Sequence, residues 1–353
     1  MRAVTALGLA RRTPGFQYCA VDADSTLVEL AEGRAELAGR PMRAATTLMA
    51  YSMSKTITAA AVLQLVERGA IDIDEPLSRH LSWIPYGQAV TVRGLLAHTA
   101  GLPNPIPLRW VHPVADHERF DESASLRRVL AKHGRLKARP GTRFAYSNIG
   151  YWLLGSLIER VTGESFASYV AEHILARLEL TDEDLGYRIA SPTSHAVGYL
   201  ERRSLLNLVK PLLIDRRLIG RACGRWVALK PHYADGPAFG GLIGTARAFG
   251  RFLQDQLRSE SKILGPTGRA LFFEQQRIER GPIPMTLGWH VGSLGGERCL
   301  FKEGGGGGFH TMMRLYPHRG IGTVFMANAT LVDVARALDR LDGDLLAETL
   351  DTR

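Results

Sequence analysis

Strand-like segments occupy both ends of this chain and helix-like segments fill its middle, a distribution that few architectures satisfy. Near the start, "FQYCAVDA" and "STLVELAEG" read as two short strands around an Asp-Ala-Asp-Ser turn, a hairpin by its spacing. Near the end, "MTLGWHVG", "RCLFKEG", "FHTMMRLYP" and "GIGTVFMAN" read as further strands, with "PHRG" a tight turn between the last two. Between them, from about Ser52 to Gln256, "SKTITAAAVLQLVERG", "TVRGLLAHTAG", "SLRRVLAKHG", "GYWLLGSLIERVTG", "SFASYVAEHIL" and "TARAFGRFLQDQL" carry apolar residues at three and four spacing. Several of these stop at a glycine, as helices do. The fold class expected is therefore α+β: one antiparallel sheet built from the N- and C-terminal segments, flanked by helices, with a large, mainly helical region inserted between its strands. The whole of 1–353 is expected to form one domain, with a sheet part at about 1–50 and 257–353 and a helical part at about 51–256. Catalytic groups would gather where the insert meets the sheet.

Composition narrows the classes of function. Forty-five per cent hydrophobic and 22% charged residues over 353 positions give enough apolar surface for a large core and exclude disorder. The apolar stretch Ala3 to Ala10, closed by Arg11 and Arg12, is too short for an export signal and reads as a first short helix. No run reaches the roughly 18 residues of a membrane span. Cys19, Cys223 and Cys299 are unpaired by spacing, which suits a reducing compartment and leads to a cytoplasmic expectation. The net charge of +9 is spread out rather than gathered into a basic arm, so it reads as a solvated surface and not as a nucleic-acid site. One segment, residues 202 to 230, alternates apolar pairs with Arg and Lys. It reads as a packed helix pair beside the cleft, with a lid or a weak association with membrane surfaces as the competing reading.

The chemistry starts at "YSMSKT". On a helix, residues three apart share a face, so Lys55 can reach the Ser52 hydroxyl. At a first helical turn the free amides and the dipole favour negative charge, and a serine with an adjacent neutral amine becomes a nucleophile. Lysine ordinarily titrates at about 10.4, so neutrality at pH 7 demands roughly 4 to 5 kcal/mol from burial or a second cation. The apolar run after Lys55, from Ile57 to Val66, makes burial the expectation. Taken alone, Ser-x-x-Lys equally describes a capping serine and a surface lysine. A second element, "GTRFAYSNIGYWLLG", sets Tyr146 and Asn148 on one side of an extended segment before a helix. A third, "LFKEGGGGGFHTMMRLYP", points Lys302 and Glu303 to opposite faces of a strand and leaves bare glycine backbone beyond them. A glycine-rich phosphate cradle is excluded there, because no Gly-Lys-Ser/Thr ending and no helix follow.

In this order, Ser-x-x-Lys, Tyr-x-Asn and Lys-x-Gly resemble the three motifs of the serine β-lactamase and penicillin-binding-protein superfamily. The likeness is strongest to its class C branch, with the related D-aminopeptidases and family VIII carboxylesterases. "LLAHTAGLP", "GGLIGTARAFGRFL" and the closing "GGGGFHTMMRLYPHRGIGTVFMAN" extend it over roughly residues 15 to 330. The resemblance implies a catalytic domain in which Ser52 is acylated and Lys55 shares in proton transfer. It implies a Tyr146 phenol drawn down by Lys55 and Lys302, Asn148 binding a substrate oxygen, and Gly305 offering an oxyanion-hole amide. These groups would titrate as one cluster, so the base, Lys55 or Tyr146, stays open. Lys302 stands where many esterase-like relatives have His, and Glu303 replaces a small residue. The implied activity is that of a carboxylesterase-like serine hydrolase acting on small esters or amides. A β-lactamase or D-amino-acid peptidase, and an inactive binding protein on the same fold, are the alternatives. The expected partner is a small ester or amide substrate, with no cofactor, no metal and a monomer or homodimer.

Weaker candidates read as surface. "HPVADHE", with His112, His117 and Glu118, lacks His-Glu-x-x-His spacing and reads as solvated loop residues; "DIDE" at 72 to 75 lacks the rest of a calcium loop. No Gly-x-Ser-x-Gly elbow is present, which argues against an α/β-hydrolase.

Overall fold

A computed structural model of the chain describes residues 12–105, 109–202, 215–330 and 333–348. The expected first short helix and residues 203–214 of the basic segment lie outside them.

Six antiparallel strands form the principal sheet: β1 (Gly15–Val21), β2 (Thr26–Gly33), β3 (His290–Leu294), β4 (Glu297–Gly305), β5 (His310–Tyr316) and β6 (Ile321–Ala327). Their spatial order is β3-β4-β5-β6-β1-β2, so the two chain ends meet where β1 pairs with β6, Cys19 opposite Val324. Four long helices matter for the site: α1 (Ser54–Glu67), α2 (Asn148–Thr162), α3 (Ala246–Leu257) and α4 (Val334–Glu348). The strands obey the two-residue period of a sheet covered on both faces. Cys19, Val21, Leu300, Met313, Val324 and Met326 face the main core with α1 and α3, whereas Phe16, Tyr18, Met312 and Phe325 face α4 through Leu338 and Leu341. Lys302 shares the parity of Leu300 and thus points toward α1.

Helix α1 is buried along 12 of its 14 residues, which is why its sequence shows almost no polar side. Its polar members are satisfied by neighbouring backbone: Thr56 donates to Gly288 O and Thr58 to Ala238 O. On the opposite face of the sheet, Asp342 of α4 is fully buried and accepts hydrogen bonds from Tyr18, Tyr316 and Thr323 beside Arg314. Among the described residues, no helix is long and apolar enough to cross a membrane.

Several expectations need correction. The inserted region, mainly helical as expected, also holds strands that were not read from the sequence: Val111–Pro113 pairs with His232–Ala234, and Gly198–Glu201, Trp226–Leu229 and Ile219–Cys223 form a small three-stranded sheet. The described part of the basic segment is therefore a strand hairpin rather than a helix pair, turning at Gly224 with φ of 58°. "TVRGLLAHTAG" yields only the short helix Val92–Leu96, because His98 adopts a left-handed φ of 57°. Strand β3 starts at His290, after Gly288 with φ of 112°, and not at Met285. Helix α4 went unread, since its apolar stripe Val334, Leu338, Leu341, Leu345 lies beyond the last strand.

Candidate active site

Ser52 sits in the 3₁₀ turn Tyr51–Met53 that runs directly into α1. Tyr51 holds a φ of 46°, and a bulky residue in the left-handed region marks local strain at the turn. Its phenol fixes the turn from outside, lying 2.9 Å from Gly307 O and 3.0 Å from His232 Nε2. Two of the consecutive glycines have steric reasons. A Cβ on Gly304 would fall 2.1 Å from Ala50 O, and one on Gly306 would fall 2.4 Å from the Tyr51 ring. The glycine run is what lets β4 lie flat against the turn that carries Ser52.

Around Ser52 Oγ the three sequence motifs converge. Lys55 Nζ lies 2.9 Å away and also donates to Phe239 O at 2.6 Å. The Tyr146 hydroxyl lies 2.9 Å from the same oxygen. Lys302 Nζ sits 5.5 Å from the centroid of the Tyr146 ring and 5.7 Å from that of Tyr151, with Lys55 Nζ 5.1 Å from Tyr146 on its own side. Both lysines are fully buried. Burial, with Lys302 as a second cation, holds Lys55 well below its ordinary range, and burial alone lowers Lys302 to about 7. Burial pushes the Tyr146 phenol up, against the lowering effect of its hydrogen bond with Ser52, and Glu303 adds to the rise. The shift therefore runs upward, opposite to the depressed phenol that the family resemblance implies, because burial outweighs the other influences on Tyr146.

With a neutral Lys55 the network closes without a stray proton. Tyr146 O–H donates to Ser52 Oγ, the Ser52 hydroxyl donates to the Lys55 lone pair, and a Lys55 N–H donates to Phe239 O. Lys302 Nζ is buried and finds no hydrogen-bond partner among the described residues.

Asn148, the first residue of α2, receives no proton from its neighbour; its Nδ2 and its backbone N–H both donate to Asn104 Oδ1 at 3.1 Å. It lines a cavity of about 250 Å³ together with Ser52, Tyr146 and Gly305. The other walls are largely apolar, with Trp110, Val111, Leu218, Leu229, Ala234 and Phe239. Glu303 points outward, 46% exposed, and pairs with His310. Ser52, Tyr146, Asn148 and Gly305 thus line one cleft, Lys55 and Lys302 lie buried beside Tyr146, and Glu303 points away. Sequence reasoning missed His98 and His290, whose rings pack against Tyr146, the first tilted with its centroid 4.3 Å away and the second stacked at 6.2 Å. "LLAHTAGLP" contained the first without any local sign that its histidine was aimed at a tyrosine far along the chain.

The weaker candidates resolve differently. His112 is buried, not solvated: Nδ1 lies 2.9 Å from Asp235 Oδ1 and Nε2 lies 3.0 Å from His117 Nδ1, while Glu118 pairs with Arg188. Asp74 and Glu75 of "DIDE" pair with Arg93 and His80.

Comparison with known proteins gives the family and the fold. "Penicillin-binding protein 4*" of Bacillus subtilis (strain 168) is 26% identical over 287 residues, 79% of this chain and 60% of that protein. "Esterase EstB" of Burkholderia gladioli is 32% identical over 191 residues, 49% of this chain and 47% of its own. The chain thus spans about half the length of such relatives. Among solved structures, the D-amino acid amidase from Ochrobactrum anthropi SV3 superposes with a TM-score of 0.81 at 20% identity, covering 98% of each chain. A family model described as Beta-lactamase matches residues 1–347, and the chain belongs to that family.

Proposed function

We propose that this protein is a serine hydrolase that cleaves small, uncharged esters through an acyl-enzyme on Ser52, a carboxylesterase in substrate class. The observation that carries the reading is Ser52 Oγ held at 2.9 Å by both Lys55 Nζ and Tyr146 OH, on the wall of a mostly apolar cavity. Ser52 Oγ attacks the carbonyl carbon and its proton passes to Lys55, which burial keeps ready as a base. The carbonyl electron pair moves onto oxygen, where the amides of Ser52 and Gly305 stabilise it. On collapse, the ester C–O bond breaks and the departing alkoxide takes a proton from Tyr146, which recovers one from Lys55. Water then attacks the acyl-enzyme by the same relay in reverse, releasing the acid and restoring Ser52.

Substrate class follows from what faces the cavity. Among the described residues, neither lysine lines it, so no ammonium stands ready to receive the carboxylate that β-lactams and peptide termini carry. Apolar walls and a buried Lys302 favour a neutral ester over a charged amide. The three cysteines stand free, which suits a reducing, cytoplasmic setting. The test is turnover of p-nitrophenyl butyrate, nitrocefin and D-alanine p-nitroanilide by wild type and Ser52→Ala. Ester hydrolysis that vanishes in the variant is the expected outcome. Faster opening of nitrocefin, or faster release of the anilide, would replace the esterase reading with the lactamase or peptidase one.

A further inference from the structure

His98 is 2% exposed, lies in the left-handed region at φ of 57°, and touches the Tyr146 segment in three ways. Its carbonyl accepts from the amide of Ala145 at 2.8 Å, and its Nδ1 accepts from the amide of Ser147 at 3.1 Å. Between those two anchors its ring packs against the Tyr146 ring in a tilted arrangement, centroids 4.3 Å apart and planes inclined by 37°. The residues on either side of Tyr146 are therefore tied to one histidine, and so is the face of the phenol between them.

The tautomer is fixed by this bonding. Because Nδ1 accepts, the ring proton resides on Nε2, and that buried N–H has no partner among the described residues. A histidine kept only for packing has little reason to bury an unpaired donor and to adopt a backbone conformation that glycine or asparagine takes at less cost. The ionisable groups facing it are Lys302, Lys55 and His290, together with the phenols of Tyr146 and Tyr151. A cationic His98 would lose the Nδ1 acceptor and add positive charge beside both amines.

We propose that neutral His98 is a positioning residue for Tyr146: it aims the phenol at Ser52 Oγ by clamping both flanking amides and one ring face. The inference rests on the reading of Tyr146 as the proton donor to the leaving group. It places His98 in the reaction through Tyr146 alone, with no contact to substrate.

A double-mutant cycle in the full-length enzyme tests it, with p-nitrophenyl butyrate as substrate and His98→Asn, Tyr146→Phe and the double variant as partners. Asparagine tolerates the left-handed backbone but cannot stack, so the comparison isolates the ring. His98→Asn is expected to lower kcat by about tenfold or more with KM changed less than about twofold. The double variant is expected to be no slower than Tyr146→Phe within about twofold, since the clamp has nothing left to aim. Losses that multiply, an unchanged kcat in folded His98→Asn, or an effect confined to KM would each overturn the proposal. His98→Gln repeats the cycle if the asparagine variant unfolds, and unfolding of both would assign the residue a purely structural role instead. Fluorophosphonate labelling of wild-type Ser52 separates the two levels. With no label the hydrolase reading and this inference fall together; with label and multiplying losses only the inference falls.

Discussion

Tyr146 and Ser52 stand 94 residues apart in the chain, yet the phenol oxygen lies 2.9 Å from the serine oxygen. The contact exists because α1 starts just after Ser52, α2 starts just after the tyrosine, and both pack in one core. Neither oxygen has a charged partner: the amines around them are buried and held toward neutrality. That arrangement makes the pH behaviour of the site specific.

Activity against a neutral ester should rise from acid to neutral pH and then stay flat into the alkaline range. Lys55 must be neutral to take the proton, and Lys302 loses its charge at about 7, so protonation of the pair on the acid side removes the base. Tyr146, raised by burial, keeps its donor proton beyond the ordinary phenol range of about 10. A profile of kcat/KM against pH checks this. A bell centred well below neutrality would contradict it.

Lys302→Met should stabilise the fold and slow the enzyme. An amine lowered to about 7 in the folded state binds fewer protons than in the unfolded chain, so wild-type stability should climb as pH rises from about 7 toward 10. Methionine fills the space without that cost, and a gain of a few kcal/mol at neutral pH is expected in urea unfolding. Loss of the second cation should also let the Lys55 pKa rise, moving the acid limb of the rate profile upward.

Glycines 304 and 305 should respond oppositely to a methyl group. In Gly304→Ala the new Cβ would meet Ala50 O at 2.1 Å and Ser52 N at 3.0 Å, forcing β4 away from the turn that carries Ser52. In Gly305→Ala the nearest atoms belong to the His310 side chain at 3.4 Å and can accommodate it. Loss of kcat by about 100-fold or more is expected for the first and a small change for the second, measured with one ester under the same conditions.

Asp342 tests the far face of the sheet. Asp342→Ala would leave Arg314, 8% exposed, to its pair with Asp339 and strip the buried hydroxyls of Tyr316, Thr323 and Tyr18 of their shared acceptor. A loss of about 3 to 5 kcal/mol in unfolding free energy is expected, with KM unaffected in whatever protein remains folded.

Much of this was legible before any coordinates. "FQYCAVDA" does form a strand paired in a hairpin with the next, and the unbroken apolar run after Lys55 announced a helix through the core. Lys302 and Glu303 do face opposite sides of their strand. The rest was hidden because it depends on partners remote in sequence. Nothing local in "AHTAG" tells a left-handed histidine from a helical one, and only the fold reveals that its ring meets Tyr146. Local sequence likewise could not show the direction of the phenol's shift, since burial of the whole cluster outweighs the neighbours named from the motif. The strands at Ile219–Cys223 and Trp226–Leu229 were obscured by their Arg and Leu content, which mimics one face of a helix.

The central claim is that Ser52 is the atom that bonds to the acyl group. Intact mass after incubation with a fluorophosphonate, followed by peptide mapping, tests it most directly. One adduct per chain is expected, on the peptide containing Ser52, formed at a rate that drops in Tyr146→Phe and absent in Ser52→Ala. An unmodified protein, or an adduct that persists in Ser52→Ala, would contradict the account.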